Sequence, residues 1–251
     1  MNNFGRIEAT GRQRNGTVYV DGTADDFVIR NSGSIDATGG AGSGISVQVG
    51  SFAGDVQSGT IVNSSSIIGS GSLPQDAGIR LFTGTSGSTF DGDIFNELRG
   101  VIEGGENAAA VLVDSNTSFN GTLFNDGLID GSVLLNDGDL FLSESSVLEL
   151  EIGSLLDFEE VATAGDITFG GILDISFAGG FLPSVGQSFD LFDFGNANGE
   201  FLEIRSDGIV FDTSDVLLGG SVSITAVPEP SSLVVLSLSS LLLLRRRRKV
   251  C

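Results

Sequence analysis

Asn31-Ser32-Gly33-Ser34-Ile35 and Asn63-Ser64-Ser65-Ser66-Ile67 are two copies of one short phrase, an Asn followed four residues later by Ile. The phrase also occurs as Asn3 to Ile7 and Asn125 to Ile129, and Asn96 to Val101 fits with one inserted residue. The Asn-to-Asn spacings are 28, 32, 33 and 29. Before each Asn lies a short β-type run: Phe27-Val28-Ile29, Thr60-Ile61-Val62, Asp93-Ile94-Phe95 and Thr122-Leu123-Phe124. A small-residue bend and another run accompany each Ile: Thr17 to Val20, Gly44 to Val47, Ile79 to Phe82 and Ala110 to Val113. Each period therefore holds three short strands separated by turns. A unit of this size cannot bury its own apolar face, so it must stack on copies of itself.

Strands rather than helices follow from three observations. The apolar runs are short and rich in Val, Ile and Phe, and Gly and Asn interrupt them at close intervals. The chain contains 37 Gly, each costing about 1 kcal/mol in a helix interior relative to Ala. Asn tolerates the left-handed conformation that a sharp corner requires. Stacked at one corner of successive coils, the side chains of Asn3, Asn31, Asn63, Asn96 and Asn125 are expected to hydrogen-bond along the axis as an Asn ladder. The predicted fold is all-β, with residues 1–146 forming a right-handed parallel β-helix of about five coils. Its repeat style is similar to the passenger regions of autotransporter-type surface proteins.

From Val147 the texture changes. Val147-Leu148-Glu149-Leu150-Glu151-Ile152, Leu173 to Phe177 and Val222 to Ala226 alternate with period two. Gly179 to Gly186 reads as a turn leading into Ser188 to Phe194, and Gly199-Glu200-Phe201 as the start of a further strand. Residues 147–226 are predicted to be a β-rich module that caps the open end of the solenoid. Within it, residues 154–164 hold a helical turn, with Ser154 and Asp157 as a capping box, or else a loop or strand.

Val227-Pro228-Glu229-Pro230 opens onto an aliphatic run and a basic terminus. The run comprises Leu233, Val234, Val235, Leu236, Leu238, Leu241, Leu242, Leu243 and Leu244 with interspersed Ser, and the basic stop is Arg245, Arg246, Arg247, Arg248 and Lys249. Residues 227–251 resemble the PEP-CTERM sorting signal of bacterial exported proteins, as all three parts stand in order. The order of residues 147–226 (a Gly-Gly-x-Leu strand, a Gly-Phe-x-Pro turn, a Gly-x-x-Phe strand) resembles the segment that closes many passenger-like β-helices before such a tail. The resemblance implies an exosortase-type processing enzyme as partner, a transient stay in the inner membrane, and an end point at the cell surface or in the extracellular matrix. As a short C-terminal helix, the 12 residues from Leu233 to Leu244 span roughly 18 Å, whereas a bilayer core is about 30 Å thick. That length fits a signal to be read better than a permanent span, although a plain tail anchor stays open. The basic cluster places the C-terminus on the cytoplasmic side and the body outside. An exported chain is expected to begin with a signal peptide, and the residues after Met1 contain no apolar run. The expectation is a truncated gene or a start assigned too late, with further Asn-x-x-x-Ile coils and a signal peptide upstream.

Composition narrows function mainly by exclusion. The formal charge of −21 becomes −26 without the five basic residues 245–249, which argues against nucleic-acid binding. The chain has no His, so the usual serine triad and imidazole ligands are absent. Cys251, in the tail, reads as a bland terminal residue or a lipidation site. No catalytic residue is assigned. The carboxylates considered are Asp25-Asp26, Asp91/Asp93, Asp137/Asp139 and Glu159-Glu160, read as solvated turn residues. No cofactor is assigned either. Ca²⁺ at Asp91-Gly92-Asp93 or Asn136-Asp137-Gly138-Asp139 is weighed against ordinary Asp-Gly turns. The 18 Phe are assigned to core packing. Two functions remain: an exported structural or adhesion protein of an extracellular polysaccharide matrix, and a secreted polysaccharide-active β-helix enzyme with the same tail. A groove with clustered acids on one face favours the second, and a face of Ser, Thr and Asn favours the first.

Overall fold

The computed structural model describes residues 1–8, 16–22, 24–39, 42–71, 73–84, 87–105 and 108–228. The chain winds as a parallel β-solenoid of about 7 turns, continuing past residues 1–146, to which about five coils are assigned. Each of the first seven levels contributes one strand to each of three sheets, and the eighth contributes to the first two. The first sheet runs from Asn2–Asn3 through Phe27–Asn31 and Val56–Asn63 to Asn196–Gly199. The second runs from Arg6–Glu8 through Ser34–Asp36 to Glu203–Ser206, and the third from Val18–Val20 to Phe192–Asp193. Two further strands, Ser88–Asp91 and Thr117–Asn120, pair beside the long strand Val56–Asn63.

The interior is a set of aliphatic columns fixed by the register. On the second sheet Ile7, Ile35, Ile67, Ile102, Ile129, Leu148, Leu173 and Ile204 stand level by level above one another. On the first sheet Ile29, Ile61, Ile94, Leu123, Leu140 and Ile167 do the same. The third contributes Val18, Ile45, Ile79, Val111, Val133 and Val161. Most of these side chains are fully buried, each stabilising the stack by about 1.5–3 kcal/mol. The period-two alternation within each strand places one residue in the column and the next outside.

The corner after the first sheet is held by an unbroken ladder of amides. The Nδ2 of Asn3 donates to Asn31 Oδ1 at 2.8 Å, Asn31 to Asn63 at 2.8 Å, Asn63 to Asn96 at 2.9 Å and Asn96 to Asn125 at 2.7 Å. Each Nδ2 also donates to a backbone carbonyl of the next coil: Ser34, Ser66, Val101, Leu128 and, from Asn125, Val147. The Oδ1 of Asn3, Asn31, Asn63 and Asn125 accepts the N–H two residues ahead, closing the turn. Coils approach closely here: a Cβ on Gly33 would collide with the Gly5 carbonyl oxygen.

Several expectations are corrected. None of the ladder Asn is left-handed; the described non-Gly residues with positive φ are Asp26 and Asn136. The ladder Asn end strands, and their side chains rather than their backbones make the turn. The buried column at the fourth level is filled by Ile102, with Val101 facing outward opposite Ser66, so that corner carries two inserted residues and not one. The Asn125 position is followed by Leu142 after a much shorter coil. Without its Asn marker the repeat is invisible in the sequence, yet the stack continues, and strands Val147–Ile152, Ile172–Phe177 and Glu203–Ser206 extend the second sheet across residue 147. Gly199-Glu200-Phe201 is not a strand start, because Asn196–Gly199 ends there and the next strand is Glu203–Ser206. Residues 153–158 form a loop, in which Ser154 Oγ accepts from Leu156 N at 3.2 Å.

At the C-terminal end an antiparallel sheet of Ser188–Asp190, Ser221–Ala226 and Val210–Asp212, with one helical turn at Val216–Gly219, joins the last coil. It buries Phe189, Val216, Val222 and Ile224. Phe169, Phe192 and Phe201 cluster beside it with centroids 5.0–5.8 Å apart. Phe90 and Phe119 lie in the core as expected, whereas Phe95, Phe124 and Phe141 stack on the outer side of the first sheet. Val227 packs against the core. Glu229, Pro230, the aliphatic run and the basic stop lie outside the described residues. Among the described residues no helix is long and apolar enough to cross a membrane.

Asn63 makes five hydrogen bonds in the middle of the ladder. Asn63→Ala strands the amides of Asn31 and Asn96, and denaturant unfolding is expected to show a loss of about 3–5 kcal/mol. Asn3→Ala, at the ladder's end, is expected to cost about 1–2 kcal/mol. Equal small losses at both positions would contradict the ladder's role.

Candidate functional site

The residue after each second-sheet column position points outward at the corner toward the third sheet. From the second level onward its occupants, in register, are Asp36, Ile68, Glu103, Asp130, Glu149, Asp174 and Arg205. The two ends are neutralised. Asp36 pairs with Arg6 at 3.0 Å, and its carboxyl is held low by Thr38 and that Arg. Arg205 pairs with Glu203 through two bonds of 3.0 and 2.9 Å. Between them the four consecutive carboxylates Glu103, Asp130, Glu149 and Asp174 line a cleft of about 430 Å³. Gly105, Leu150, Glu151, Glu159 and Ser176 complete its walls.

Glu159 reaches the cleft from the loop that follows Ile152. An antiparallel bridge between Ile152 and Phe158 turns the loop back. Its Phe158 ring then packs edge-on against Phe189 at 6.0 Å. Glu159 N donates to Glu151 O at 2.9 Å, and Glu159 Oε2 accepts from Glu151 N at 2.7 Å. The carboxyl thus closes one side of the cleft at a fixed position.

The electrostatics are one-signed. Burial, then the charges of Asp130 and Glu151, push the Glu159 carboxyl up to about 7, against the opposing Glu151 N–H bond. Glu103 is raised by burial and then by Asp130 and Asp36. Glu149 is raised by burial and then by Asp130, Asp174 and Glu103, and Asp130 by burial. Neighbouring levels of a sheet stand about 4.8 Å apart and alternate levels roughly 10 Å. That range covers the separations at which carboxyl pairs act on glycosidic bonds, about 5–10 Å. Chemically, the cleft can hold a proton on Glu159 at neutral pH, and its one-signed lining attracts cations. Among the described residues no group of three or more acidic or thiol side chains is arranged to hold a metal ion.

Of the carboxylates singled out in the sequence, only Glu159 lies in this cleft; Glu160 faces away, its N–H bonded to Ser132 Oγ. Asp25, Asp26, Asp91, Asp93 and Asp139 serve as staples between coils. Ser58 Oγ donates to Asp25 and Asp26 at 2.6 Å, and hydrogen bonds hold the Asp25 carboxyl low. Asp91 accepts from Asn120, Asp93 from Thr122 N and Asp139 from Asp166 N. Oxygens of both turns considered for calcium are therefore engaged within the fold. Glu103, Asp130, Glu149 and Asp174 were not legible as a set. The available signal was the repeated apolar-acid pair Ile35-Asp36, Ile102-Glu103, Ile129-Asp130, Leu148-Glu149 and Leu173-Asp174. It was obscured where Val101, and not Ile102, falls nearest the expected spacing.

Comparisons with protein-family models, with curated proteins and with solved structures return no match.

Because the folded protein raises the Glu159 pKa above its unfolded value, it favours the protonated form. The associated stability is present at pH 4 and is lost as pH climbs from about 4.5 to about 7. Glu159→Gln removes the charge but retains an acceptor for Glu151 N. The variant is expected to match the parent at pH 4 and to exceed it at pH 8 by about 1–2 kcal/mol, a figure discounted for the solvent that reaches the carboxyl. Thermal unfolding across that range checks it; parallel pH profiles would rule it out.

Proposed function

We propose that the protein is an exported structural or adhesive element of the cell surface or extracellular polysaccharide matrix, delivered through its C-terminal signal and processed there by an exosortase-type enzyme. The observation that carries this reading is the axial continuity of the stack, in which the second-sheet column runs unbroken from Ile7 to Ile204. Eight levels of the first and second sheets make a stiff rod about 35 Å long at the usual strand spacing. Its acidic surface favours solubility and keeps it off anionic lipid. The three-part tail from Val227 to Lys249 supports the destination.

A direct test places an internal tag in an exposed loop such as 179–186 and follows the chain in producing cells with and without the processing enzyme. With the enzyme, the tagged body is expected outside the cell and shortened by its basic terminus. Without it, the uncut form should stay in the membrane fraction. A body that stays cytoplasmic even when translated from an upstream start would overturn the proposal.

The acidic cleft favours a second reading, a polysaccharide-active enzyme carrying the same signal. In that case Glu159 is the proton donor, and Asp130 or Glu149 is the base or nucleophile. A neutral glycan is the fitting substrate, since a polyuronate would be repelled by the carboxylates. Release of reducing ends from neutral extracellular polysaccharide, abolished by Glu159→Gln and by Asp130→Asn in folded variants, would select this reading. Binding without release would select the first.

A further inference from the structure

The outer face of the first sheet carries one column that core packing does not explain. In register along the axis it reads Val62, Phe95, Phe124, Phe141, Thr168 and Asn198. Phe95 and Phe124 lie nearly parallel with ring centroids 5.0 Å apart, and Phe141 tilts 51° from Phe124 at 5.9 Å. The ring stack stops there, because the next level carries Thr168. Phe141 is 39% exposed. It borders a groove of about 720 Å³ at the corner where the amide ladder has given way to Leu142 and Phe169. Asp126, Ser143, Glu144, Thr168 and Glu200 rim this groove, and no Lys or Arg stands among its described lining. Ser145 Oγ donates to Asp126 O at 3.0 Å, tying two successive turns into one wall. Two residues before the ring positions, a second outward column sets Asp93, Thr122, Asp139 and Asp166 beside the rings.

We propose that this face binds an amine-bearing polysaccharide, a chain of de-N-acetylated amino sugars, with one sugar stacked on Phe141 in the groove and its ammonium group among Asp126, Glu144 and Glu200. Charge complementarity selects that occupant. Carboxylates stand on both sides of the ring column and repel anionic glycans, and the formal charge of −21 extends that repulsion over the whole body. An ammonium beside an aromatic ring gains cation–π attraction on top of its pairing with carboxylates. The pyranose offers an apolar C–H face to the ring, while its hydroxyls meet Ser143 and Thr168. A basic peptide fits less well. Thr122–Asn125, Asp139–Leu142 and Asp166–Phe169 each pair on both sides, so a peptide backbone finds no free strand edge here. This rests on the matrix-element reading above and deepens it by naming the polymer that the rod holds.

The test uses the full chain, purified in non-ionic detergent, and labelled glucosamine oligomers whose binding is read by fluorescence anisotropy. The de-N-acetylated oligomer is expected to bind about tenfold more tightly than the N-acetylated oligomer of equal length, and to weaken as salt rises. Phe141→Ala should lower that affinity about tenfold. Thr168→Phe continues the ring stack over Phe141 and should lower it as much, with the thermal midpoint of both variants confirming the fold. Glu144→Gln combined with Glu200→Gln should flatten the salt dependence. The proposal is overturned by equal binding of the N-acetylated oligomer, by oligolysine that binds as tightly and loses as much at Phe141, or by amine binding that neither Phe141→Ala nor Thr168→Phe changes. An exported chain that does not bind the amine oligomer would sink this proposal and leave the matrix reading standing; a chain that binds it but stays cytoplasmic would do the reverse.

Discussion

The fold depends on satisfying the backbone and amide groups at one buried corner. Three strands meet at tight turns in each coil, and the turn between the first and second sheets is buried between the levels on either side. An unpaired polar group there costs about 1–3 kcal/mol, and the penalty recurs at every level. Asn answers it with one side chain. Its oxygen closes the local turn, while its nitrogen bonds the next amide and the next coil's carbonyl, as at Asn31. Asn therefore recurs there, whereas the interior columns accept Ile, Leu or Val.

That constraint explains where the chain varies. The ladder corner holds two residues between Asn31 and Ser34 and four between Asn96 and Val101. Larger differences in coil length fall elsewhere. The coil from Asn125 to Leu142 is far shorter than those before it, while the coil between Asn63 and Asn96 inserts an additional strand, Ser88–Asp91. Past Asn125 an apolar Leu142 takes the corner position, and Phe169 holds it again before Gly199. Apolar packing then replaces amide bonding, the Phe cluster gathers at the last coil, and the antiparallel sheet closes over it.

The sequence revealed the class of fold, the three strands per period and the ladder positions because each is encoded locally, in strand-sized apolar runs and one repeated residue. It did not reveal the last two coils, since the marker ends at Asn125 while the columns continue through Leu148, Leu173 and Ile204. A Leu in an alternating run looks the same in a solenoid strand as in a sandwich. The acidic cleft was hidden for a related reason. Its carboxylates are scattered along the chain from Glu103 to Asp174, and only the register brings them to adjacent levels. Glu159 was visible as a carboxylate, but its role depends on a loop that folds back on Glu151.

Stacking makes the acidic column costly, and the cost limits its origin. Repeating any outward residue at one register position places copies about 4.8 Å apart, where like charges repel. From the second level onward the series is relieved on both sides of the cleft, with Arg6 against Asp36, Ile68 in place of an acid, and Arg205 against Glu203. From Glu103 to Asp174 it is not, and the Glu159 loop buries that stretch further. A rod selected for stability alone would place Ser, Thr or Lys at one of these four levels. Four acids in succession, together with a loop that desolvates them, raise one another's carboxyls and make this the costliest outward stretch of the stack.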